Sequence, residues 1–144
     1  TLMDRILGRW KPRLAQASVQ IQKSYPESPV KAHIDPRTFE QVIVNLMNNA
    51  IQAMPEGGTI SITLAARSLP QGTMAEIKIA DTGPGIPQEI LQRIFDPFFT
   101  TKKTGTGLGL AISRRILAAH KGGIQVESYP DAGTVFTLHV PISH

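Results

Sequence analysis

Eight apolar residues between Pro36 and Met54 limit what this chain can become. Phe39, Val42, Ile43, Leu46, Met47, Ala50, Ile51 and Met54 recur at three- and four-residue intervals, the spacing that lines one side of an α-helix. Asp35 stands as N-cap and Pro36 at the first helical position, and PEGG closes the segment. A helix of about five turns with such a stripe needs a second layer to bury it. The strands that follow supply that layer. TISITL (59–64) and MAEIKIAD (74–81) alternate as strands, joined by the loop AARSLPQG, and IQVESY and TVFTLHVP meet at PDAG as a hairpin. VQIQ (19–22) and VKAHI (30–34) read as short strands around the turn YPESP. PQEILQRIF begins a short helix. LGLAISRRILAAHK is a second long one, with His120 and Lys121 in its last turn and Gly122-Gly123 as the stop. Paired strands with two long helices between them predict an α+β two-layer sandwich, a mixed or antiparallel sheet carrying its helices on one face.

The chain has 144 residues, 41% of them hydrophobic, enough for one domain with a real core. It lacks an apolar run of membrane-spanning length and a signal peptide. With no cysteine, disulfides, thiol catalysis and cysteine-based zinc sites are excluded, and a reducing compartment fits. His33, His120, His139 and His144 lack metal-ligand spacing. The net charge of +4 suits polyanionic ligands. Its basic residues are scattered without aromatic interleaving, which argues against nucleic acid. LMDRILGRW (2–10) has helical spacing too short to stand alone, closed by Pro12. It reads as the end of a longer helix, so residues 1–14 are expected to be a remnant of a neighbouring segment and residues 15–144 the domain.

The strand IKIAD raises the chemical question. Ile77, Ile79 and Asp81 share one face, so a carboxylate points where two core residues point. An unpartnered carboxylate there is costly, and Thr82-Gly83-Pro84-Gly85 supplies no cation. Asn45 and Asn49 lie four residues apart along the edge of the helical stripe. They are either ordinary surface amides, or Asn49 offers its oxygen to a hard cation such as Mg²⁺ that takes its other ligands from phosphate and water. TKKTGTGLGLAIS is not a P-loop, and its glycines do not follow a strand as a dinucleotide fingerprint requires. It is either a plain flexible loop, with Lys102 and Lys103 as solvated charges, or a Gly-rich helix start whose free N–H groups and dipole bind phosphate. Thr134 shares the inward face of its strand with Phe136, Leu138 and Val140, where most threonines simply bond backbone. Taken together, these elements describe one nucleotide pocket between sheet and helices. In it Asp81 accepts a hydrogen bond from the adenine amino group, backed by Thr134 and water.

NLMNNAIQAM, DTGPGI, FDPFFTTK and GTGLGLAIS, in that order, resemble the N, G1, F and G2 boxes of bacterial sensor histidine kinases, of the superfamily that includes Hsp90, gyrase and MutL ATPases. The resemblance spans residues 19–141, and NAIQAMPEGG and PFFTTK look most like the nitrogen-regulation type. It implies a Bergerat-type ATP-binding fold with a mobile ATP lid over residues 95–107, footed by Phe95, Phe98 and Phe99. It implies that Asn49 ligates Mg²⁺, that Asn45 lies against the phosphates, and that Lys102 contacts the γ-phosphate. Asp81 would read adenine, with Gly83, Gly85 and Ile86 shaping the base pocket and Thr134 beside it. Gly105, Thr106, Gly107, Leu108, Gly109 and Leu110 would line the phosphate side.

Two departures from the family pattern stand out. Gln52 occupies a position where many sensor kinases carry a basic residue. None of the four histidines sits in the phosphoacceptor motif, so the acceptor must lie on a separate dimerisation domain. The implied function is the donation of the γ-phosphoryl of Mg-ATP to that histidine, in two-component signalling through a response regulator. A hydrolytic ATPase switch would need a Glu base where Asn45 stands. A catalytically silent nucleotide-binding regulator is the other alternative. A monomeric, cytoplasmic domain without direct membrane contact is expected.

Overall fold

The computed structural model describes residues 2–26, 34–70, 72–96, 109–128 and 131–142. In chain order they form α1 (Leu2–Gln16), β1 (Val19–Ser24), α2 (Pro36–Ala53), β2 (Gly58–Leu69), β3 (Gly72–Asp81), α3 (Gln88–Leu91), α4 (Gly109–Ala119), β4 (Gly123–Ser128) and β5 (Thr134–Pro141). The five strands make one sheet in the order β1-β2-β3-β5-β4. β1 and β2 run parallel because α2 is the crossover between them, and the remaining neighbours are antiparallel. The sheet is therefore mixed, as expected.

One face of the sheet holds the core. Ile60 and Ile62 of β2, Ala75, Ile77 and Ile79 of β3, and Phe136, Leu138 and Val140 of β5 sit at alternate positions and are buried. They form one apolar cluster with the α2 stripe and with Leu117 of α4. Burying each of the larger side chains stabilises the fold by about 1.5–3 kcal/mol. All the expected stripe residues of α2 are buried. Its start is capped as the sequence predicts: the Asp35 carboxylate accepts from the Arg37 N–H at 2.9 Å, and Pro36 fills the first turn.

Several element boundaries differ from the sequence expectation. The segment read as the loop AARSLPQG mostly continues the hairpin, since β2 extends to Leu69 and β3 begins at Gly72. Backbone pairing overrides the weak strand propensity of Ala-Ala-Arg-Ser. β1 runs two residues further than expected, to Ser24. The strand expected over 30–34 lies, apart from Ile34, outside the described residues. α1 does not close at Pro12 but continues to Gln16. Pro12 has no N–H for the Gly8 carbonyl, yet Gly8 is exposed, where an unpaired carbonyl costs little. Met3, Ile6, Leu7 and Leu14 of this helix are buried in the same cluster as α2, so the segment expected to be a remnant packs as part of this core.

α4 ends at Ala119, and His120 and Lys121 stand just beyond it in the turn. Lys121, not a glycine, takes the left-handed conformation at φ 62°. The Gly122 N–H bonds the Leu117 carbonyl at 2.7 Å and the Lys121 N–H bonds Ala118 at 3.1 Å, a Schellman stop. Gly122 serves a different need: a Cβ there would lie 2.1 Å from the His139 carbonyl oxygen of β5.

Candidate functional site

β3 ends at Asp81, whose phase puts its side chain on the core face opposite Ile60 and Thr134. The strand stops because the chain turns sharply through Gly83 and Gly85, the latter at φ 81°. The Gly83 N–H bonds the Asp81 carboxylate at 2.9 Å, and the backbone N–H of Thr134 bonds it as well. Burial pushes the Asp81 carboxyl above its ordinary value, and these two N–H groups pull partly against that shift. So the question posed by the sequence has a partly internal answer. Two backbone donors hold the carboxylate in place, and it remains half-buried at the rim of the core. Gly83 also lies tightly on α2: a Cβ there would stand 3.0 Å from Asp81 Oδ1 and 3.2 Å from the Ala53 carbonyl oxygen. Thr82 Oγ1 accepts from the Thr59 N–H at 3.1 Å, tying the turn to β2.

The other side of the turn is held by a residue that the sequence reading did not single out. Ser128 closes β4, and its buried hydroxyl meets the Ile86 N–H at 2.7 Å, the Gly133 carbonyl at 3.0 Å and Thr134 Oγ1 at 2.8 Å. Gln88 donates its side-chain N–H to the Ser128 carbonyl at 2.7 Å, and the Asp131 N–H bonds the Pro84 carbonyl at 2.7 Å. A signal was present in the sequence: Ile124, Val126 and Ser128 alternate toward the core, directly across from Thr134. Thr134 itself is buried as expected. Its N–H serves Asp81, and its hydroxyl pairs with Ser128.

Along α2, Asn45, Asn49 and Ala53 repeat every fourth residue on one side. At its Ala53 end this row abuts Gly83 beside Asp81. At the other end Asn45 Nδ2 donates to the Gly109 carbonyl and to Ser113 Oγ, both at 3.2 Å, while Ser113 Oγ donates to the Gly109 carbonyl at 2.9 Å. Asn45 thus fastens the start of α4 to α2, and the buried Ser113 is a second residue that the sequence reading missed. From Asn45 to Ala53 the helix rises about 12 Å at 1.5 Å per residue. The row therefore joins the carboxylate corner to the N-terminus of α4.

The row offers a cation amide oxygens, which are hard donors compatible with Mg²⁺. Among the described residues no three His, Cys, Asp or Glu side chains gather to hold a metal. Asn49 is half-buried in the middle of the row, and the oxygen of neighbouring Asn48 is buried without a hydrogen-bond partner among the described residues. Neutral amide oxygens with no carboxylate cluster suit a hard cation that takes its remaining ligands from phosphate and water.

The structure thus gathers Asp81, Gly83, Gly85, Ile86 and Thr134 at one end of the row, and Asn45, Gly109 and Leu110 at the other, with Asn49 between them on α2. Lys102, Thr106, Gly107 and Leu108 lie outside the described residues, as does most of the expected lid. Phe95, at the foot of that segment, is half-buried with the Arg114 guanidinium 5.5 Å over its ring. Of the described histidines, His120 places Nδ1 2.8 Å from the Ile116 carbonyl, and His139 places Nε2 2.9 Å from Glu76 Oε2. The latter pair lies on the sheet face away from the helices. Among the described residues no helix is long and apolar enough to cross a membrane.

A mixed five-stranded sheet with its helices on one face, and an inward Asp beside an Asn-bearing helix, define a two-layer α+β domain. Residues 34–144 match the histidine kinase-, DNA gyrase B- and HSP90-like ATPase family, and the chain belongs to it. It is 47% identical over 116 residues to the signal transduction histidine-protein kinase AtoS of Escherichia coli, a match covering 81% of this chain and 18% of that protein. It is 36% identical over 145 residues to the adaptive-response sensory kinase SasA of Rippkaea orientalis, covering 98% of this chain and 36% of the relative. The chain thus spans well under half the length of these relatives. Among solved structures, the nucleotide-free catalytic domain of the histidine kinase ThkA superposes with a TM-score of 0.84 at 32% identity, over 97% of this chain and 90% of that one. ThkA in complex with the response regulator protein TrrA matches with a TM-score of 0.80 at 29% identity, over 99% of this chain and 40% of that one.

Proposed function

We propose that this domain binds Mg-ATP along the row of α2 and presents its γ-phosphoryl to a histidine on a separate dimerisation domain, which passes it on to a response regulator. The observation that carries this reading is the Asn45–Asn49–Ala53 row, which links a fixed, half-buried carboxylate to the N-terminus of α4. Asp81, held by the N–H groups of Gly83 and Thr134, accepts from the exocyclic amino group of adenine. The first turn of α4, kept in place by Asn45, turns its N–H groups and positive dipole end toward the phosphates. Asn49 would hold Mg²⁺, which when bound neutralises phosphate charge. The remaining catalysis is positioning of the donor phosphoryl for in-line attack by an imidazole, because phosphoryl transfer asks little covalent chemistry of the protein. Lys102 is assigned to the γ-phosphate by sequence resemblance. The resemblance of the chain to sensor kinases, including one solved with its response regulator, supports the choice of acceptor and downstream partner.

A hydrolytic switch needs a general base one turn before the metal-binding Asn. That position is Asn45, whose Nδ2 donates two hydrogen bonds and whose amide cannot take a proton from water. Titration calorimetry tests the reading directly: Mg-ATP should bind one site, with affinity falling on removal of Mg²⁺. Absence of heat and of any thermal stabilisation by Mg-ATP would refute it.

A further inference from the structure

The Ser128 hydroxyl owns a single proton and has three polar neighbours, at 2.7, 2.8 and 3.0 Å. Two of them have no choice of role. The Ile86 N–H can only donate, and the Gly133 carbonyl can only accept. Ser128 therefore gives its proton to Gly133 and receives one from Ile86, which leaves one lone pair to fill. Thr134 Oγ1 must fill it as a donor. Were Ser128 to point its proton at Thr134 instead, two acceptor oxygens would face each other 3.0 Å apart at a site where Ser128 is 2% exposed.

The consequence reaches the corner that holds Asp81. With its proton committed to Ser128, the Thr134 hydroxyl has only lone pairs to offer. Its N–H is committed to the Asp81 carboxylate. Asp81 and Thr134 are direct partners in the ladder and share the core face, so two adjacent acceptors stand there. Neither has a movable proton while Asp81 is ionised. We propose that Ser128 sets the purine specificity of this site, although it touches no ligand: by fixing Thr134 as an acceptor it favours a base with a 6-amino donor over one with a 6-oxo acceptor. The proposal rests on the ATP-binding reading and adds to it the residue that enforces discrimination. Ser128 is a positioning residue, and it acts through the hydroxyl of Thr134.

The test compares ATP with inosine triphosphate, which carries the 6-oxo group and lacks the 2-amino group of guanine. In Ser128→Ala the Thr134 hydroxyl is released to rotate and donate to a 6-oxo oxygen. The ratio of ATP to inosine triphosphate affinity should fall about tenfold, the scale of one hydrogen bond. Ser128→Thr, which keeps the hydroxyl, should restore the ratio. Adding Thr134→Val to Ser128→Ala should abolish the gain for inosine triphosphate. General loosening of the turn would weaken both nucleotides equally, so an unchanged ratio in Ser128→Ala overturns the proposal while leaving ATP binding intact. Should Ser128→Ala fail to fold, Ser128→Cys replaces it: its thiol accepts poorly, the same fall is expected, and an unchanged ratio has the same meaning. If the unmutated chain binds neither nucleotide, the ATP-binding reading falls and this inference with it.

Discussion

At Asp81 two opposing effects meet in one carboxyl group. Burial favours the protonated form, while the N–H groups of Gly83 and Thr134 favour the anion, and burial is the larger. The folded carboxyl therefore titrates above its unfolded value. Its contribution to stability is fully present below the unfolded pKa and is lost as pH rises through the folded pKa, so at neutral pH the ligand-free domain carries a penalty for holding the charge. Asp81→Asn removes that penalty. The variant should melt higher than the unmutated chain at neutral pH, and the difference should shrink as the solution is acidified toward the unfolded carboxylate range. The same substitution should weaken ATP binding by about 1.5–3 kcal/mol, the worth of a hydrogen bond to a charged acceptor. Melting curves at two pH values and calorimetry read the two effects separately. Loss of ATP affinity together with lower stability at every pH would mean that Asp81 serves the fold rather than the base.

At the scale of elements, α2 and α4 are joined by the amide of Asn45, which donates to the Gly109 carbonyl and to Ser113. A carboxylate at that position has no proton to give and would face the Gly109 oxygen directly. Asn45→Asp should destabilise the domain by about 1–3 kcal/mol, the cost of leaving a part-buried acceptor unsatisfied. Urea denaturation measures it, and an unchanged midpoint would show that α4 is held without this amide. This contact was not legible in the sequence. The four-residue spacing of Asn45 and Asn49 gave their shared side, but not that a helix starting 64 residues later would take up the first of them. The α2 stripe, its Asp35 cap and the inward phase of Asp81 and Thr134 were legible, because each follows from a local period or a local cap. Ser128 was legible in phase alone; its three bonds depend on how the hairpin folds back on the Asp81 turn. Likewise the extension of β2 and β3 came from cross-strand pairing, which outweighs the propensities of the residues it recruits.

On the scale of the whole molecule, the first helix contributes its own side chains to the common core. Met3, Ile6, Leu7 and Leu14 of α1 are buried against the core that α2 shares, so removing residues 1–16 uncovers an apolar face. At about 1.5–3 kcal/mol per large side chain, the loss is comparable with the 5–15 kcal/mol that holds an ordinary domain together. The truncated chain should lose its cooperative melt by circular dichroism, and retention of a sharp transition would place α1 outside the folding unit.

Under the proposed function, a partner domain supplies the acceptor histidine. Asn45 stands where a hydrolase keeps its base, and of the described histidines one bonds its own helix and the other pairs with Glu76 on the far face of the sheet. Incubated with radiolabelled Mg-ATP, the chain by itself should gain no label and release little phosphate. With a dimerisation domain carrying the acceptor histidine, label should appear on that domain, stable to alkali and labile to acid as a phosphoramidate is. Label of that kind on this chain alone would make one of its own four histidines an acceptor. Brisk phosphate release without any partner would replace the phosphotransfer reading with the hydrolytic one, and Asn45→Glu then gives the control. Phosphate release that appears only in that variant would show that the base, rather than the pocket, was what the domain lacked.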